Sequence, residues 1–189
     1  MGCGKSTVAG LFVEAGYRLI DSDAMVRNEL LPSEEMTQLM RDRWGGAIFG
    51  DDDKLDRKQL ASRVFSDDGE RELLESWVHP RLFARWREIL ATGPKDDWVV
   101  EVPLLFEKRL ENWFDFIVCV ASSADVQLAR LRKRGISNAL AGERISKQLP
   151  LARKLDLADM VLWNDGTLPF LREQVTHLQT ELSADIERS

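Results

Sequence analysis

The chain has only two cysteines, Cys3 and Cys119, among 189 residues. They have neither metal-ligand spacing nor the number a disulfide framework needs, so a reducing, cytoplasmic setting is expected. Long apolar runs are missing as well. The most apolar stretch, Trp113 to Ala121, is short and broken by Asp115, which excludes a membrane-spanning helix there. No stretch has the pattern of a secretory leader, and we expect a soluble, intracellular protein. Positive charge is in deficit: 26 Lys and Arg stand against 32 Asp and Glu, for a net charge of -6 at pH 7. That balance argues against a nucleic-acid coat or an anionic membrane surface as partner. An anionic ligand must then be held by a local basic cluster. Internal repeats and low-complexity linkers are also absent. The length suits one domain with room for an insertion, and a monomer is expected.

What is present gathers first at the start, in Met1-Gly2-Cys3-Gly4-Lys5-Ser6-Thr7. This matches the second half of a phosphate-binding loop, G-x-x-x-x-G-K-[ST], with a helix following directly. Glycines let backbone N–H groups turn onto phosphate oxygens, the Lys5 ammonium reaches the β and γ phosphates, and the Ser6 hydroxyl suits Mg²⁺. The helix N-terminus adds partial positive charge. The pattern's opening glycine, and the strand that normally feeds such a loop, fall upstream of Met1. We therefore expect about ten preceding residues to complete both sheet and loop, since each lost backbone pair costs about 1 kcal/mol.

Val8, Leu11, Phe12 and Ala15 recur at helical spacing, and Gly16 stands where a helix ends. Tyr17-Arg18-Leu19-Ile20 reads as a strand that delivers Asp21-Ser22-Asp23 at its C-terminal end, where ligands bind in open α/β sheets. The alternative for Asp23 or Ser22 is a helix N-cap ahead of Ala24 to Leu30. From Arg27 to Thr92 the apolar residues follow a 3.6 period, so this stretch is a helical insertion. Its breaks are expected at Gly45-Gly46, at Gly50 with Asp51-Asp52-Asp53, at Asp67-Asp68-Gly69 and at His79-Pro80. The acidic run reads as a solvated turn. Pro80 reads as the first residue of a new helix, and His79 as a capping or packing residue or a ligand contact.

Trp98-Val99-Val100-Glu101-Val102 is a β-rich run of the kind buried on both faces. Glu101, near its end, suits a carboxylate at the Mg²⁺ water shell or a structural acceptor for the next loop. Phe116 to Val120 and Met160 to Trp163 read as further parallel strands. Strands alternating with helices imply βαβ crossovers and an α/β fold. Phe170, Leu171, Val175, Leu178 and Leu182 mark a C-terminal amphipathic helix covering the sheet. Between the last two strands lies a basic cluster: Gln127, Arg130 and Arg134 on one helix face, capped by Ser122 or Ser123, then Arg144, Lys147 and Gln148, then Arg153 and Lys154. So many guanidinium groups on an acidic background read as an anion clamp, against a solvated face as the alternative.

Together with Leu55-Asp56-Arg57, Leu60-Ala61, Val64-Phe65, Leu74-Glu75 with His79-Pro80, Pro103-Leu104-Leu105-Phe106-Glu107, Arg144-Ile145 with Gln148, and Ala158-Asp159 with Asn164-Asp165-Gly166, these motifs resemble the dephospho-CoA kinase family over almost the whole chain. The resemblance implies a P-loop NTPase core with a parallel sheet flanked by helices (1–26, 93–121 and 157–189), an inserted helical CoA-binding domain (27–92) and a helical lid (122–156). It implies ATP and dephospho-CoA as small-molecule substrates, with Mg²⁺ as cofactor. By resemblance, Lys5, Asp23 and Arg130 are catalytic, with Asp23 the general base. Gly2, Cys3, Gly4, Lys5, Ser6, Thr7, Arg134 and Arg144 hold the nucleotide. Asp23, His79 and Leu104 face the acceptor, and Ser6, Asp21 and Glu101 the metal. Two rival readings stay open: another P-loop kinase of a nucleoside or small metabolite, and an inactive, N-terminally truncated fragment.

Overall fold

The computed structural model describes residues 1–95 and 97–186, without the side chains of the last two. It divides into two compact units, Met1–Leu19 with Asp97–Ser189, and Ile20–Asp96.

The first unit begins with α1 (Lys5–Glu14), which buries Val8, Ala9, Leu11 and Phe12. It ends as its sequence predicts. Gly16 takes a left-handed φ of 103°, open to glycine because it lacks a Cβ, and the Tyr17 N–H donates back to the Phe12 carbonyl at 3.1 Å. The chain then enters β1 (Arg18–Asp21), where the Arg18 N–H donates to the Asp97 carbonyl at 2.9 Å. β2 (Trp98–Glu101) packs on α1. Its four residues are all half-buried, so the expected burial on both faces is not found. The apolar run reflects contact with α1 and with the cluster that takes in Val99.

β3 (Val118–Ala121) and β4 (Met160–Trp163) pair in parallel, in register from Val118 with Met160 to Ala121 with Trp163. A parallel pair needs a long crossover, and α6 (Ala124–Lys133), α7 (Asn138–Ser146) and α8 (Leu151–Leu157) supply it. Finally α9 (Leu168–Ile186) packs against α1 and β4. The core between them consists of Val8, Leu11, Phe12, Leu162, Leu171, Val175 and Leu178. Apolar burial of this kind contributes roughly 25 cal/mol per Å² removed from water. Ser123 precedes α6 as expected, but its hydroxyl makes no capping bond. The Ser123 N–H is instead held by the Asp165 carboxylate at 2.8 Å.

The second unit is helical: α2 (Ser22–Met25), a π turn over Val26–Leu30, α3 (Glu34–Trp44), α4 (Arg57–Ser66) and α5 (Asp68–Thr92). Local rules account for its helix starts. Ser33 accepts from the Met36 N–H, Asp56 from Lys58 and Gln59, and Asp67 from Gly69 and Glu70, each occupying N–H donors that a helix leaves unpaired. Met36, Met40, Trp44, Ile48, Leu60 and Val78 form the core. The cap at the end of β1 is Asp21, whose carboxylate accepts from the Ala24 N–H at 2.9 Å, and not Ser22 or Asp23. A cap must stand outside the helix in extended backbone, and Asp21 does, with φ -90° and ψ 101°. Nor does the chain break at His79-Pro80, because α5 runs through Pro80. Proline removes the N–H that would reach the Ser76 carbonyl; the Arg81 guanidinium donates to the following carbonyl, that of Trp77, at 2.7 Å. Val78, Leu82 and Trp86 continue one buried stripe across the site.

Candidate active site

The loop before α1 is shaped by two glycines in left-handed backbone, Gly2 at φ 76° and Gly4 at φ 94°. An L residue pays roughly 1–2 kcal/mol for that conformation, and at Gly4 there is also no room. A Cβ there would lie 2.1 Å from the Asn164 side-chain nitrogen, and at Gly2 one would meet Leu131 and the Gln127 carbonyl at 3.2 and 3.3 Å. From Gly4 the chain turns directly into helix, its carbonyl accepting from the N–H groups of Thr7 and Val8 at 3.1 Å. The leading N–H groups of a helix have no intrahelical acceptor and carry the positive end of its dipole. The sequence places Lys5 and Ser6 at that end, Lys5 half-buried and Ser6 exposed.

What holds the loop in this form comes from far along the chain. Asn164, buried just beyond β4, donates its side-chain amide to the Cys3 carbonyl at 2.8 Å. Arg130, on α6, donates to that carbonyl at 3.4 Å, and to the Asn164 backbone and side-chain oxygens at 2.8 and 3.2 Å. These bonds fix the direction of the Cys3 peptide. On the helix side, the Ser6 hydroxyl donates to Glu101 at 2.9 Å, so the end of β2 and the start of α1 present a hydroxyl and a carboxylate together.

The first unit thus gathers Gly2, Cys3, Gly4, Lys5, Ser6, Thr7, Glu101 and Arg130 around one loop. Other residues of the same reading stand elsewhere in it. Leu104 is half-buried in the turn after β2, its carbonyl accepting from the Lys108 N–H at 3.0 Å. Arg134 is exposed at the C-terminal cap of α6, and Arg144 is half-buried near the end of α7. Gln127 does not share an open face with the arginines: it is buried, and its amide donates to the Ser122 carbonyl at 2.9 Å. In the second unit, Asp21 caps α2, Asp23 is exposed in its first turn, and His79 stacks on Phe83 with ring centroids 5.9 Å apart.

Asn164 belongs to the family-like motifs, yet its place at the loop is not evident from them. Asn164-Asp165-Gly166 spells a turn, and nothing in it announces a partner at Cys3. The usable signal is that the turn directly follows a strand, at the strand end where α/β sheets place their ligands.

Comparison with known proteins supplies the family. The sequence profile of the dephospho-CoA kinase family matches residues 1–169. A dephospho-CoA kinase of Thermosynechococcus vestitus is 40% identical over 175 residues, covering 92% of this chain and 86% of that protein. One from Geobacillus kaustophilus is 35% identical, covering 91% and 88%. Among solved structures, a Thermus thermophilus protein superposes with a TM-score of 0.83 at 32% identity, over 96% of this chain and 93% of its own. The dephospho-CoA kinase from Campylobacter jejuni gives 0.70 at 25% identity, over 98% and 94%. The profile match spans every residue described around the loop, and with relatives at this identity over most of both chains the chain belongs to the dephospho-CoA kinase family.

Proposed function

We infer that the chain transfers the γ-phosphoryl group of ATP to the ribose 3′-hydroxyl of dephospho-CoA, the final step of coenzyme A synthesis. The observation that carries this reading is the loop itself, with Gly4 pinned in left-handed backbone against Asn164 at the start of α1. Phosphoryl transfer asks little covalent chemistry of a protein; it needs alignment of the attacking oxygen and neutralisation of charge on the phosphoryl oxygens. The helix start and the Lys5 ammonium supply the second requirement. Arg130 reinforces it indirectly by fixing the Cys3 peptide, and it keeps further N–H donors beyond those bonds, because a guanidinium carries five. Asp23 is the general base that removes the hydroxyl proton. Arg134 and Arg144 contact the triphosphate, while His79 and Leu104 contact the acceptor.

The donor set also suits Mg²⁺. Ser6 and Glu101 offer hard oxygen ligands 2.9 Å apart. Among the described residues no group of three or more His, Cys, Asp or Glu is gathered to cage an ion, which fits an ion held by one or two protein oxygens and by phosphates. When bound, Mg²⁺ neutralises charge on the phosphate oxygens. Asp21 belongs to its water shell in this reading.

In domain terms, residues 27–92 bind the CoA moiety and 122–156 close over the nucleotide as a lid, the remainder forming the nucleotide-binding core. No helix among the described residues is long and apolar enough to cross a membrane, and we place the enzyme in the cytoplasm as a monomer that binds no nucleic acid. Purified chain incubated with Mg-ATP and dephospho-CoA is expected to form CoA, with the new phosphate located on the 3′ oxygen by phosphorus NMR. Equal phosphorylation of nucleosides lacking the pantetheine arm, or of none of the acceptors, would overturn the assignment.

A further inference from the structure

The crossover between β3 and β4 is anchored at both ends, and the two anchors differ in kind. At its start, Arg130 and Ser123 tie α6 to the Cys3 carbonyl and to Asn164 and Asp165. At its end stands Glu107, in the turn after β2. One oxygen of its carboxylate accepts from the Leu149 N–H at 2.8 Å and from the Lys154 ammonium at 2.7 Å, and both side chains are only 16% exposed. Lys154 also lies 3.5 Å from the Gln148 side-chain oxygen. The other Glu107 oxygen is buried as well. Burial pushes the Glu107 carboxyl up, but Lys154 and the Leu149 N–H outweigh it and hold it below the usual carboxylate range. Between the anchors lies α7, which carries Arg144 and buries only Ala141. Beyond its packing against α6, the position of α7 depends on how the segment is held at its C-terminal end.

We propose that Glu107 is a positioning residue for ATP binding, fixing through Leu149 and Lys154 the C-terminal end of the segment that carries Arg144. This rests on Arg144 contacting the triphosphate, as inferred above. The carboxylate has two separable duties, accepting a backbone N–H and pairing with an ammonium, so graded substitutions distinguish positioning from bulk stability.

The test is the ATP dissociation constant by calorimetry, alongside kcat and KM for each substrate, in Glu107→Ala, Glu107→Gln, Lys154→Met and Lys154→Arg. The ATP dissociation constant should rise about tenfold in Glu107→Ala, a difference of about 1.4 kcal/mol. Glu107→Gln and Lys154→Met should fall between, and Lys154→Arg should return close to wild type. KM for dephospho-CoA should stay within about twofold throughout, since uniform loss of structure would move both substrates. If Glu107→Ala fails to fold, the glutamine and methionine variants decide. Wild-type ATP affinity in both, whatever their melting temperatures, overturns the proposal. A wild-type chain that binds ATP yet forms no CoA overturns the functional reading instead, and the affinity comparison still decides the role of Glu107.

Discussion

The two units of this molecule are put together by different rules. In the helical unit the helix starts are set by residues a few positions away: Ser33, Asp56 and Asp67 cap α3, α4 and α5 through N–H groups two or three residues on. In the other unit the loop depends on Asn164 and Arg130, which are 161 and 127 residues from the Cys3 carbonyl they hold. Local caps are redundant and individually modest. A loop held by one buried amide and one guanidinium has no such reserve, so substitutions there should cost function before they cost much stability, while substitutions at the caps should do the reverse.

The sharpest break in that comparison is Gly4→Ala. The new methyl group would sit where the Asn164 amide stands, 2.1 Å away, in backbone at φ 94°. ATP affinity should fall by a hundredfold or more, on the order of 3 kcal/mol, measured by calorimetry, while the helical unit keeps its circular dichroism. Next in size is Asp23→Asn. A lost general base typically lowers turnover by about a hundredfold or more, and ATP binding should remain near wild type. Unchanged turnover would remove Asp23 from the mechanism. At the helical unit, Asp67→Ala removes the acceptor for the Gly69 and Glu70 N–H groups. It should cost about 1 kcal/mol, a fall in melting temperature of roughly 2–4 °C, with KM for ATP unchanged.

The smallest effect concerns acid. Because the Glu107 carboxyl is held below its unfolded value by Lys154 and Leu149, its stabilisation is complete above the ordinary carboxylate range. It is lost as pH falls through the lowered value. Glu107→Gln should therefore melt below wild type at neutral pH, and the gap should narrow as pH falls below the ordinary glutamate range and close below the lowered value. A gap that is constant across that window would mean the pair contributes no charge-dependent stability.

Much of the fold is legible in the chain because it follows from neighbours. The apolar spacing of Val8, Leu11 and Phe12 gives α1, the glycine at 16 ends it, and β4 occupies Met160–Trp163, the apolar run before the Asn164-Asp165-Gly166 turn. Pro80 misleads because propensity speaks only for the isolated turn. In the fold, the buried Val78, Leu82 and Trp86 stripe carries the helix on. Asn164 is silent in the sequence because its partner is a backbone carbonyl, a group every residue has. The loop motif marks N–H groups suited to phosphate; it does not announce what holds them there. Arg130 falls between these cases: its charge marks it for an anion, yet three of its bonds go to carbonyl oxygens of the protein.

The central claim is that the loop from Gly2 to Thr7 is where ATP sits, and a single labelling measurement reaches it. Cys3 lies in that loop and is half-exposed, whereas Cys119 is buried in β3 and its thiol is pushed up by burial, so the wild-type chain carries its own internal control. The rate of Cys3 alkylation, followed by mass spectrometry with and without Mg-ATP, should exceed that of Cys119 and should drop on adding nucleotide. Equal labelling of Cys3 in the presence and absence of ATP would contradict the account.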